Sequence, residues 1–134
     1  MFTPHMSLAA IEGAQPDLQP CLDLLAGLSV EPIEIDTSSA FTMSLFVRVE
    51  RADALLKARH YMQGQPGMTA SRPFDPHLSL CYGPPPKGAE DWNMVRALLQ
   101  HPIRFDRLNT IDIPSRVESY DDVRAWKPLQ SYVF

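Results

Sequence analysis

The sequence predicts an α+β fold of two related lobes, each an antiparallel-rich sheet flanked by helices. Three observations carry that expectation. A seven-residue segment occurs twice, the same helix-then-strand pattern follows each copy, and a further strand and helix stand ahead of the second copy. With 134 residues, 45% of them apolar and 21% charged, the chain suits a single domain, 1–134, with a real core.

Internal duplication constrains a fold more than local propensity does. Residues 2–8 read Phe-Thr-Pro-His-Met-Ser-Leu and residues 74–80 read Phe-Asp-Pro-His-Leu-Ser-Leu, five of seven identical at an offset of 72. Ordinary residue usage produces such a match in well under roughly one chain in a thousand. Each copy reads as a strand. After the first, Leu18, Leu22, Leu25 and Leu28 recur at helical spacing and stop near Gly27, and Pro32-Ile33 opens an alternating segment. After the second, the loop Gly83-Pro84-Pro85-Pro86 leads to Trp92, Val95, Leu98 and Leu99 at helical spacing, and Pro102-Ile103 opens the next strand. Between the copies, Met43 to Val49 alternates as a strand does. Residues 51–63 then form a helix with Leu55, Leu56, Arg59 and Met62 inward, ended by Gly64-Gln65-Pro66-Gly67. Further strands are expected near 103–113 and 127–133, parted by the polar run Glu118 to Asp122. The two repeats then cover about 1–42 and 43–134, related by a pseudo-two-fold.

The formal charge of −4 and pI near 5.5 argue against a broad basic surface that grips long duplexes, and leave a small phosphorylated ligand in a local pocket as the fitting partner. No stretch approaches the length of a membrane span, and the start lacks a basic region followed by an apolar signal core, so a cytoplasmic protein without a membrane partner is expected. Cys21 and Cys81 are too few and too far apart for a disulfide framework or a zinc site, and read as two reduced thiols.

On a strand, residues two apart share a face, so His5 projects with Ser7 and His77 with Ser79. A two-fold that sets the two strands side by side brings two imidazoles and two hydroxyls to one cleft, an arrangement suited to phosphate chemistry. One neutral His removes a proton from the attacking water, a second protonated His gives one to the leaving oxygen, and the hydroxyls donate to the non-bridging oxygens. No metal or cofactor is required. A single His-x-Ser would be an ordinary pair of strand side chains, but a duplication retained only for its core would not repeat the polar His and Ser. His60, at a helix end, and His101, before a proline, receive no role.

These motifs resemble the 2H phosphoesterase superfamily, whose members carry two His-x-Ser/Thr motifs in a two-lobed, LigT-like fold. The second motif, Pro76-His77-Leu78-Ser79-Leu80-Cys81-Tyr82-Gly83, is similar to the cyclic phosphodiesterase branch. That resemblance implies hydrolysis of ADP-ribose 1″,2″-cyclic phosphate or nucleoside 2′,3′-cyclic phosphates. His5 and His77 would be acid and base, and Ser7 and Ser79 would hold the phosphate. It further implies that Tyr82, brought round by the bend at Gly83, reaches the phosphate or its attacking water, and that Phe41 lies beside the base or ribose. A core or edge position is the alternative for Phe41. RNA ends are a further substrate of the family, for which Arg48, Arg72 and Lys127 are the candidate contacts. A binding module that keeps the cleft and recognises a nucleotide or RNA end without turnover is the alternative function. In the family a strand and a helix precede the first motif, whereas here only Met1 precedes Phe2. The 2–10 strand would then be a sheet edge exposing Met6 and Leu8, completed by an upstream segment or by a second copy in a homo-oligomer.

Overall fold

The computed structural model describes residues 5–13, 16–69, 73–114 and 116–134. Phe2, Thr3 and Pro4 of the first motif, and Arg72, lie outside the described residues. In chain order the elements are β1 (Ala10–Ile11), α1 (Gln19–Leu25), β2 (Ser29–Val30), β3 (Pro32–Thr37), β4 (Leu45–Val49) and α2 (Asp53–Gln63). They continue with β5 (Met68–Thr69), β6 (His77–Cys81), α3 (Ala89–Ala97), β7 (Ile103–Arg104), β8 (Arg107–Asp112), α4 (Tyr120–Arg124) and β9 (Lys127–Val133). Every strand pairing is antiparallel, so the protein is a mixed α+β fold.

Where two sheets are expected, the described residues form four: β3-β4-β6, and the pairs β1-β5, β2-β7 and β8-β9. Prolines account for part of the fragmentation. Pro32 opens β3 one residue after β2 ends, and Pro102 stands directly before β7; neither has the N–H that a continuing ladder would use. The segments that follow the helix in each repeat pair with one another, Ser29 with Arg104 and Val30 with Ile103.

The main core lies between α1, α2 and the strands beside them. Cys21 and Leu25 from α1 meet Leu55, Ala58 and Met62 from α2, with Leu18, Leu28, Val30 and Val49 around them. Each fully buried Leu or Val side chain stabilises the fold by about 1.5–3 kcal/mol. Helix α1 begins at Gln19 with Pro20 in its first turn, where a missing N–H is harmless, and stops before Gly27 at φ +72°. On α2 the inward arc is Leu55, Ala58 and Met62, the true i, i+3, i+7 series; Leu56 and Arg59, expected inward, are only half-buried. The second post-motif helix is packed differently from the first: no residue of α3 is buried, and Met94 is 72% exposed. Strand β4 departs from simple alternation because, as the central strand of its sheet, it is covered on both faces, and Leu45, Phe46, Val47 and Val49 are all buried.

The first motif is not on a strand. Residues 5–9 belong to no ladder, and pairing begins only at Ala10 with Thr69. The second motif has β4 beside it, whereas here a side chain takes the place of a neighbouring strand: Arg59 Nη1 of α2 donates to Leu8 O at 2.7 Å. The same guanidinium lies over the Phe74 ring, 5.3 Å from its centroid. Met6 and Leu8 are not exposed; both pack against the main core, which removes the apolar reason for a second copy to cover this edge. No helix among the described residues is long and apolar enough to cross a membrane.

Candidate functional site

Strand β6 carries the second motif beside β4, with Phe46 opposite Ser79 and Arg48 opposite His77. All four therefore share one face, and the ladder with β3 adds Glu34, opposite Arg48, and Asp36, opposite Phe46. His77 Nδ1 lies 2.8 Å from Asp75 O, and a carbonyl can only accept, so Nδ1 carries the proton and Nε2 is left for exchange with a ligand. The imidazole meets the Phe46 ring edge-on at 5.4 Å. Ser79 is 7% exposed and donates its hydroxyl to Thr42 O at 2.9 Å.

Arg48 is fully engaged. Its Nη1 reaches Glu34 at 2.9 Å and Asp36 at 2.7 Å, and its Nε reaches Asp75 at 3.1 Å. Hydrogen bonds to the three carboxylates push its guanidinium pKa still higher, and the Asp36 carboxyl is held below the ordinary range, first by Arg48 and then by Thr37 N–H. The expectation that Arg48 could grip an RNA backbone is thereby corrected, because one cation surrounded by three anions offers no surplus positive charge. Lys127 stands exposed at the start of β9.

Past Cys81 the chain turns at Gly83, φ +77°. Gly83 N–H donates to Phe41 O at 2.9 Å, and the Tyr120 hydroxyl donates to Tyr82 O at 2.7 Å. A Cβ on Gly83 would sit 2.6 Å from Tyr120 Oη, so only glycine permits both the backbone conformation and this approach. Tyr82 is 5% exposed, and burial pushes its phenol pKa up, which keeps it a neutral hydroxyl. Its ring contacts Phe41 at 6.0 Å and Trp126 at 6.0 Å. Phe41 is half-buried between Tyr82 and Tyr120, and on its other side borders a hollow of about 280 Å³ with Ser38, Ser39, Ser44 and Gly83 in its wall.

His5 meets Trp126 edge-on at 5.5 Å. Trp126 therefore stands between His5 of the first motif and Tyr82 at the end of the second, and this is how the described residues connect segments more than seventy positions apart. Ser7 is exposed, while its neighbours Met6 and Leu8 turn to the core. The Trp126 indole N–H is buried and has no hydrogen-bond partner among the described residues. Sequence reasoning named Trp126 only as part of the closing segment and missed Tyr120. Its signal was available: Ser119-x-x-Asp122 forms a capping box that opens α4 and delivers Tyr120 over Gly83.

A larger groove of about 410 Å³, walled by Leu80, Cys81, Pro84, Met94 and Val95, contains neither motif histidine. Among the described residues no group of three or more His, Cys, Asp or Glu is placed to hold a metal ion. No family model matches the chain, and no curated protein matches it.

Proposed function

We propose that the protein is a metal-independent cyclic phosphodiesterase with the two-lobed 2H phosphoesterase arrangement, acting on an ADP-ribose 1″,2″-cyclic or nucleoside 2′,3′-cyclic phosphate. The observation that carries this reading is the aromatic bridge His5–Trp126–Tyr82, which links the first His-x-Ser segment to the residue that follows the strand of the second. The β2-β7 pairing supports a two-fold between the repeats, since the offset of 72 sets Val30 against Pro102, one residue from its observed partner Ile103.

In the proposed reaction one histidine takes a proton from water as the oxygen bonds to phosphorus. The ring P–O bond breaks, and the other histidine protonates the departing oxygen, giving a phosphate monoester and a free hydroxyl. Ser79 takes part by turning from Thr42 O to a non-bridging oxygen. A neutral hydrogen bond contributes about 1 kcal/mol net, and one to an anion roughly twice as much, so the phosphate wins the exchange. Tyr82, kept neutral by burial, adds no negative charge that would repel the phosphate. The engaged state of Arg48 and the net charge of −4 favour a small substrate over an RNA end.

A second reading, binding without turnover, is favoured by the Ser79 hydroxyl already committed to a backbone carbonyl and by a first motif outside any strand. Hydrolysis of 2′,3′-cyclic AMP in EDTA separates the two. Turnover that falls by about 10²–10⁴ in both His5→Ala and His77→Ala supports the enzyme. Saturable binding without product supports the module, and full activity in either variant defeats the paired mechanism.

A further inference from the structure

Among the described residues Arg48 is the charged side chain that links β3, the β6 face carrying His77 and the loop ahead of the motif. Its partners are not equivalent. Glu34 and Asp36 lie on β3, across the sheet, while Asp75 lies two residues before His77 and its own carbonyl oxygen accepts the His77 Nδ1 proton. A continuous path therefore runs from the Arg48 guanidinium to the Asp75 carboxylate, through one residue's backbone, to the imidazole. The two distances are 3.1 Å at the ion pair and 2.8 Å at the ring.

We infer that Arg48 is a positioning residue for His77, fixing the tautomer and orientation of the imidazole by clamping Asp75. The inference rests on the proposed role of His77 in turnover, but its physical content does not. A neutral imidazole with no acceptor at Nδ1 places its proton largely on Nε2, which would leave no basic nitrogen at that position. The Asp75 carbonyl reverses that preference only while it is held beneath Nδ1. Among the described residues the exposed Asp75 carboxylate is held by Arg48, while the carbonyls on either side of it are engaged separately, Phe74 O by Arg51 and Pro76 O by Val49 N–H. Asp36, the nearer and less exposed of the two β3 carboxylates, anchors the far end of the guanidinium so that its Nε presents to Asp75, and Glu34 adds only an outer contact. The exposed Arg48–Asp75 pair contributes little to stability, so this contact acts through geometry rather than through fold energy.

The test is nitrogen NMR of the full chain with labelled histidine, recorded where the imidazoles are neutral. Of the four His signals, His77 is identified by its loss in His77→Ala. The expected result is a single tautomer protonated at Nδ1 in the wild type, and a mixture in Arg48→Ala and in Asp75→Ala, with Glu34→Gln unchanged. The same two variants are expected to lower kcat about tenfold with KM little altered, the scale seen when the partner that orients a catalytic histidine is lost. Persistence of the Nδ1 tautomer in both variants overturns the inference, as does equal mixing in Glu34→Gln. If no phosphodiester is turned over by the wild type, the tautomer result still decides the role of Arg48, and it is the proposed function that fails. Asp75→Ala alters only an exposed loop side chain, so the test survives a strand variant that does not fold.

Discussion

Replacing Gly83 by alanine tests how tightly the turn after the second motif is built. At φ +77° an L-residue costs about 1–2 kcal/mol from crowding between Cβ and the backbone. The new Cβ would also stand 2.6 Å from Tyr120 Oη, closer than Cβ atoms come, and 3.2 Å from its Cζ, a tight contact that a shift of a few tenths of an ångström relieves. Tyr120 must therefore swing away and give up its 2.7 Å hydrogen bond to Tyr82 O, for a further loss of about 1–2 kcal/mol. Together the two effects come to about 3 kcal/mol. At about 3–5 °C per kcal/mol for a chain of this size, the melting midpoint followed by circular dichroism should drop by about 10–15 °C. Tyr120→Phe provides the control. With the hydroxyl and its hydrogen bond already absent, Gly83→Ala should cost only the backbone part, leaving a coupling of about 1 kcal/mol between the two sites. Equal losses in both backgrounds would refute the close approach, and an unchanged midpoint would refute the backbone argument as well.

Other expectations concern single groups. The Asp36 and Asp122 carboxyls are held low in the folded state, Asp36 by Arg48 and Asp122 by Glu118 N–H and the Ser119 side chain, so their contribution to stability is present above the unfolded carboxylate value of about 3.9 and is lost as pH falls through the folded values. Unfolding followed from pH 7 downward should show an acid limb below about pH 4 that Asp36→Asn flattens; an identical limb in that variant would contradict the assignment. Ser79→Ala should destabilise by about 1 kcal/mol, by leaving Thr42 O without its donor, whereas exposed Ser7→Ala should stay within about 0.5 kcal/mol, as urea titration can distinguish. A thiol reagent should label half-exposed Cys81 in the native protein and spare Cys21, which is 0% exposed and whose burial pushes its pKa up; rapid native labelling of a Cys81→Ala variant would show that the α1–α2 core opens more readily than its packing implies.

The elements that local pattern could reveal were legible. The His77–Cys81 strand, the helix ending at Gln63 and the two closing strands follow from alternation, helical spacing and glycine stops within a few residues of their observed bounds. What pattern could not reveal is which backbone has a neighbour. Residues 5–9 share His, Ser and Leu in register with residues 77–81, yet they make no ladder, because β4 lies beside β6 and Arg59 lies beside Leu8. Arg48 read as an available cation for a related reason: Glu34, Asp36 and Asp75 are scattered along the chain, and only the β3-β4-β6 register gathers them round it. Trp126 is central to the site through two ring contacts that no spacing rule encodes.

Arg59 has a consequence for how the site opens. Its guanidinium holds the carbonyl of Leu8, just past the first motif, and covers the ring of Phe74, just ahead of the second, from a single position on α2. Two copies that could each fray independently are thus latched to the same helical turn. Backbone amide exchange around residues 6–10 and 73–77 should then proceed through a shared sub-global fluctuation whose free energy is that of releasing α2, rather than through separate openings of each copy. Duplication supplied two like segments, and one arginine makes them a single cooperative unit.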